Sequence, residues 1–358
     1  MAEIRPFKAL RFTEKAGDIA KLCCPPYDII SDDERKAYLA ENENNIIRLE
    51  LPREGEDYYA TAADVLKHFY AQGILAEDDT DSYYIYGEKF TVDGKEYEFK
   101  GIIARVKIEE FSKGIILPHE ETLSKAKADR FNLMKATMCN FSQIYSLYKD
   151  ENGTTTADID KLSNGTPIAR FTDNDGVTHS LWRITDSDAN DRITAQFANR
   201  KLYIADGHHR YETSLNFRNY LRDEGKATPV SDYVMMMLVA MESDGLVVFP
   251  THRVVRDLDN YDVNDVLSKC AEHFEITEKN GINLIDSTLK TDYDLGLTSF
   301  AYYTGNNKWY HLTLKNNEIL DEICPDYSEA LVRALLTVNP NIDYGFTLAE
   351  NKPSNENN

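Results

Sequence analysis

At 358 residues the chain is long enough for two or three packed units, and a hydrophobic content of 42%, rich in Tyr and Phe, excludes wholesale disorder. Its 40 basic against 61 acidic residues leave a net charge of −21, a field that repels phosphate backbones and anionic lipid heads. Neither nucleic acid nor a membrane surface is therefore an expected partner, although one local basic pocket for a small anion is compatible with that field.

The cysteines, Cys23, Cys24, Cys139, Cys270 and Cys324, are odd in number and form no C-x-x-C pair, which argues against a disulfide framework or a thiolate zinc site. The first residues carry no apolar signal-peptide core. The longest apolar run, 234–241, is far short of a membrane span, so a cytoplasmic location is expected.

From the start of the chain, residues 4–27 alternate short apolar pieces with Arg5, Lys8 and Arg11 and end in Pro25-Pro26-Tyr27-Asp28, a stiff turn that excludes helix just before it. Ser31 to Glu34 fits a capping box opening a short helix. A second helix is predicted from about 57 to 70, with Gly73 as its stop. Residues 82–91 and 96–108 read as a hairpin around Asp93-Gly94. A helix follows at about 129–137, and residues 150–190 read as polar loops with short strands. Residues 201–205 predict a strand broken by Asp206-Gly207, with a helix over 211–223. Residues 233–241 and 246–255 read as another hairpin, 257–335 as alternating helix and strand, and the tail after Glu350 as disordered.

The sharpest local feature is the segment 203–212, with Asp206-Gly207-His208-His209-Arg210 at its centre. A strand delivers its end to a glycine turn and a helix starts at once. The first N–H groups of a helix lack partners and carry the positive end of its dipole, so an anion fits there. Arg210 offers a planar fork for phosphate oxygens, and His208 and His209 add donors. Asp206 is placed to hold Mg²⁺ or to orient a histidine. The plain alternative is a capped helix with surface histidines.

Upstream, Pro118-His119-Glu120-Glu121-Thr122 is followed by Lys125, Lys127, Arg130 and Lys135. A Glu at such a site can accept a hydroxyl proton, and the cations suit phosphate; the alternative is a solvated helix face. Pro250-Thr251-His252-Arg253 and the Tyr27-Asp28 turn are candidates to line the same cleft, or merely to redirect the chain. No P-loop, G-x-G-x-x-G after a strand, G-x-S-x-G elbow or H-E-x-x-H helix occurs.

These motifs, together with Arg5-Pro6-Phe7, Pro25 to Asp28 and Pro250 to Arg253, resemble a bacterial family labelled only as a domain of unknown function. The Asp-Gly-His-His-Arg turn is in turn similar to that of ParB/sulfiredoxin-like free serine kinases. The resemblance implies a mixed α/β fold: a core over 111–255 with an insertion at about 150–200, an N-terminal unit over 1–110, an appendage over 256–345 and a tail over 346–358. It implies a kinase-like phosphotransferase that makes O-phosphoserine from serine with ATP or ADP and Mg²⁺. Glu120 would be the base, with His119 and Asp206 in the catalytic set and Asp206 on the metal. Gly207, His208, His209, Arg210, Lys125 and Arg130 would hold nucleotide phosphates, and Tyr27, Asp28, His252 and Arg253 the small substrate. Departures are the 87 positions from His119 to Asp206, longer than in the compact kinases, and a polar tail where the family carries a lysine-bearing segment. An O-phosphoserine phosphatase, and a non-catalytic module sensing a nucleotide or phosphoserine, are the competing expectations.

Overall fold

In the computed structural model the described residues are 1–92, 94–119, 124–247, 254–255 and 259–316, and they fall into two units, Met1–Leu246 and Val247–Asn358. In the first unit the elements run β1 (Ile4–Arg5), β2 (Leu10–Phe12), α1 (Asp32–Glu41), α2 (Ile47–Glu50), α3 (Tyr58–Ala71), β3 (Leu75–Glu77), β4 (Tyr83–Val92), β5 (Lys95–Lys107) and β6 (Ile116–Leu117). They continue with α4 (Ser124–Thr137), β7 (Ile144–Tyr148), α5 (Thr154–Leu162), β8 (Ala169–Thr172), β9 (Thr178–Ile184), α6 (Ser187–Phe197), β10 (Leu202–Asp206), α7 (His208–Asp223) and β11 (Tyr233–Ala240).

Local signals account for several boundaries. Ser31 and Glu34 close the reciprocal capping box that starts α1: the Glu34 N–H donates to Ser31 Oγ, and the Ser31 N–H donates back to the Glu34 carboxylate at 2.8 Å. Asp57 caps α3 through the Ala60 N–H at 3.0 Å.

A nine-stranded mixed sheet, counted among the described residues, runs β6-β10-β7-β11-β5-β4-β9-β8, with β1 pairing a further stretch of β5. The fold is thus mixed α/β. Strands from residues 4–107 and from 116–240 share this sheet. Strand β11 pairs with β5 and β7 rather than with a hairpin partner. Leu246 and Val247 are not in a strand, and 248–253 lie outside the described residues. So do Asp93 of the expected hairpin turn and the tail after Glu350.

One face of the sheet is closed by helices. Tyr83, Ile85, Ile102, Ala104, Ile144, Ile204, Met236 and Leu238 pack with Ile159 of α5, with Ala189, Ile193 and Phe197 of α6, and with Tyr211 of α7. Residues 150–190, expected as loops with short strands, therefore supply the covering helix α5 and the start of a second, α6. Their apolar stripe is short, with Ala189, Ile193 and Phe197 at four-residue spacing. Alternation along the strands sends Tyr84, Tyr86 and Glu88 to the opposite face, opposite Arg183, Leu181 and His179 of β9. There the Tyr86 hydroxyl lies 2.8 Å from Glu88 Oε1 and 2.7 Å from His179 Nδ1, and His179 Nε2 lies 3.0 Å from Asp173. A second, smaller core gathers Leu49, Phe69 and Leu75 with Phe12, Val65 and Phe141.

The second unit contains α8 (Val263–Cys270), β12 (Phe274–Asn280), α9 (Ile282–Asp294), β13 (Ser299–Tyr303) and β14 (Lys308–Leu314), with an antiparallel sheet in the order β12-β14-β13. Its interior holds Ile285, Trp309 and Leu312 and a buried His311–Asp292 pair at 2.6 Å. Among the described residues no helix is long and apolar enough to cross a membrane.

Candidate functional site

Strands β6 and β10 are parallel neighbours, with Leu202 opposite Ile116 and Tyr203 opposite Leu117. Their carboxyl ends therefore open on the same edge of the sheet, where ligands bind in open α/β sheets. Strand β6 leads into Pro118-His119, and β10 leads through Gly207 into α7. The two motifs meet: the His119 N–H donates to His208 Nε2 at 3.2 Å, and the two imidazole rings cross edge-on with centroids 4.4 Å apart. Glu120, the candidate base, lies outside the described residues.

Gly207 is the pivot. Its φ of +92° is the left-handed region that L side chains avoid, and a Cβ there would lie 2.9 Å from Arg210 Nε and 3.0 Å from Cζ. The Arg210 guanidinium thus rests against the glycine backbone. One Nη donates to the Gln143 carbonyl and the other to Asp206, so two of its five N–H donors are committed to these bonds. As a glycine, the cap residue has no side chain to cover the first-turn amides of α7.

His208 is buried at 2% exposure, and its Nε2 accepts the His119 N–H, so that nitrogen carries no proton for a ligand. It is a brace between the two motifs at this atom rather than the donor expected from the sequence. His209 is half-buried at the helix start. Asp206 remains 63% exposed on its side chain while paired with Arg210. Among the described residues no group of three or more His, Cys, Asp or Glu could hold a metal ion, and Asp206 is the carboxylate paired with Arg210 at the corner.

Arg130 is buried and largely committed to the protein. Its Nε and Nη2 donate to Asp129, Nη1 donates to the Glu50 carbonyl at 2.7 Å, and the guanidinium stacks 3.8 Å over the Tyr27 ring. Its observed work is to hold Tyr27 and α2 in place, beside whatever it does for a ligand. Burial pushes the Tyr27 phenol up, while Arg130 and Arg210 pull it down and Asp28 pushes it up. Tyr27, Asp28, Arg130 and Arg210 are therefore electrostatic neighbours. Asp28 is exposed. The Lys125 side chain, His252 and Arg253 lie outside the described residues.

Sequence reasoning missed the centre of this group, Glu50. Its residue is 5% exposed, and its Oε1 has no hydrogen-bond partner among the described residues. Burial pushes its carboxyl up. The Ser142 hydroxyl and the guanidiniums of Arg130 and Arg210 oppose that shift, and Asp28 adds to it. Nearby, burial and then the Glu50 charge push the Cys24 thiol up to about 12. The available signal was a single acid set between the apolar residues Leu49 and Leu51. Lys127 of α4, one of the cations expected to suit phosphate, has its Nζ 2.7 Å from Glu212 of α7.

Helix α7 is fixed along its length. The Tyr211 hydroxyl donates to the Glu109 carbonyl at 2.7 Å and accepts the Glu109 N–H at 2.9 Å, and Arg218 donates to the Ile108 carbonyl and to Glu110. In the motif, then, Tyr211 anchors and Glu212 bridges to α4.

A family model described as "Protein of unknown function (DUF1015)" matches residues 4–338. The chain belongs to the DUF1015 family. The match covers every described residue of the DUF1015 corner, from Tyr27 to Arg210. No curated protein and no solved structure matches the chain significantly.

Proposed function

We propose that this DUF1015 chain is a phosphotransferase that moves a phosphoryl group from a nucleotide to the hydroxyl of a small amino acid, serine first among them. This is the reaction of the ParB/sulfiredoxin-like free serine kinases that its motifs resemble. The observation that carries the reading is the 3.2 Å contact of His119 with His208, which brings the two motifs to one sheet edge despite their separation in sequence.

Phosphoryl transfer asks little covalent work of a protein; it needs two partners in line and charge neutralised. The first turn of α7 and the remaining donors of Arg210 offer both a dipole and hydrogen bonds to phosphate oxygens. Asp206 would hold Mg²⁺, whose contribution would be to neutralise charge on the transferred group. The serine oxygen forms a bond to the terminal phosphorus as the bridging P–O bond breaks. The hydroxyl proton passes to Glu120, and the nucleotide leaves one phosphate shorter.

Incubation with serine, Mg²⁺ and either ATP or ADP should yield O-phosphoserine, detected by phosphorus NMR. Glu120→Gln should lower turnover at least about 100-fold with nucleotide binding retained. Absence of phosphoserine with both nucleotides, from protein that is folded, would overturn the reading.

A further inference from the structure

Glu50 is a buried acid with an acceptor it does not use. Its Oε1 has no partner among the described residues, and an unsatisfied buried acceptor is costly, the more so when charged. Natural cores rarely keep such an atom unless something else completes it. Its surroundings coincide with the corner. The Glu50 carbonyl holds Arg130 at 2.7 Å, and Arg130 covers Tyr27. Ser142 faces the carboxyl, and the adjacent Gln143 carbonyl holds Arg210, which lies on Gly207.

Both arginines nearest to Glu50 direct the donors described above elsewhere: Arg130 to Asp129 and the Glu50 backbone, Arg210 to Asp206 and Gln143. No described side chain completes Oε1, and the acceptor is left for a donor that a ligand would bring. A buried carboxylate is best balanced by a donor that carries charge, which favours an ammonium group over a neutral sugar hydroxyl.

We propose that Glu50 is the acceptor for the α-ammonium group of the amino acid bound beside the Gly207 corner. The inference rests on the phosphotransferase reading and names how that site tells an amino acid from a hydroxy acid. Phosphate at α7 and ammonium at Glu50 would grip the two ends of O-phosphoserine. A compound lacking the amine leaves Oε1 unpartnered and is rejected on that account.

The test uses the full chain, titrated calorimetrically with inorganic phosphate, O-phosphoserine and 3-phosphooxypropanoate, the same molecule without its amine. The wild type should bind O-phosphoserine at least tenfold more tightly than the amine-free compound. Glu50→Gln, close in shape, should bring the two to within about threefold of each other and leave inorganic phosphate affinity unchanged, since only the charged hydrogen bond is removed. Equal binding of the two compounds by the wild type overturns the inference without any variant. So does full discrimination retained by Glu50→Gln, or a variant that instead loses affinity for ATP or ADP. Inorganic phosphate bound without discrimination removes Glu50 alone. If none of the three probes binds the wild type, the phosphate corner fails and the role of Glu50 falls with it.

Discussion

The helix-covered face of the large sheet and the corner at Gly207 both bury side chains, but they bury different kinds. On the sheet face, Ile85, Ile102, Ile204 and Leu238 meet Ile159, Ile193 and Phe197, and nearly every atom removed from water is apolar. At the corner, Arg130 is 6% exposed and Glu50 5%, and around them lie Arg210, Asp129 and Tyr27. The first region gains from burial in proportion to area. The second gains only where each charge finds a partner, and Glu50 Oε1 finds none among the described residues. Stability and the proposed chemistry thus fall to separate residues.

Substitutions can break or sharpen that contrast. The largest expected change in stability is on the packed face: Phe197→Ala, which empties the space beside Tyr148, should cost about 3–5 kcal/mol by urea denaturation, with ligand selectivity of the remaining folded protein intact. At the corner, Gly207→Ala forces a Cβ onto Arg210 in a left-handed backbone and should cost less, about 1–3 kcal/mol, yet lower nucleotide affinity at least tenfold by calorimetry. If that variant binds normally, the corner is not where phosphates sit. The smallest effect has the opposite sign. Burial raises the Glu50 carboxyl above its ordinary 4.5, so the folded protein holds that proton more tightly than the unfolded chain. Its contribution to stability is full below pH 4.5 and declines as pH rises through the folded value. Glu50→Gln should therefore flatten the fall of melting temperature with pH above 4.5 and raise it at neutral pH; a variant that melts lower at neutral pH contradicts this account.

What was legible in the sequence was local. The Ser31–Glu34 box, the start of a helix near Asp57 and the break of β10 at Gly207 rest on neighbours within a few positions. The pairing of β6 with β10 joins residues 116–117 to 202–203, and no periodicity in either strand encodes that partnership. It decides the site, because it is what sets His119 against His208. Glu50 was illegible for a related reason: α2 is a four-residue helix with no cap signal, and the burial of its acid depends on Arg130 from another helix. Helices α5 and α6 were hidden by their polar majority, although Asp186 is a regular N-cap for α6.

The anchoring of α7 bears on how a ligand would be received. With Tyr211 exchanging two bonds with Glu109 and Arg218 gripping Ile108 and Glu110, the helix is tied to the segment that follows β5, well behind its first turn. An arriving anion meets amides that are already aligned, so little conformational entropy is lost there on association. Adaptation to different guests would fall to the opposite bank, where α4 is tied to this helix by the Lys127–Glu212 ion pair and by aromatic edges at Phe131.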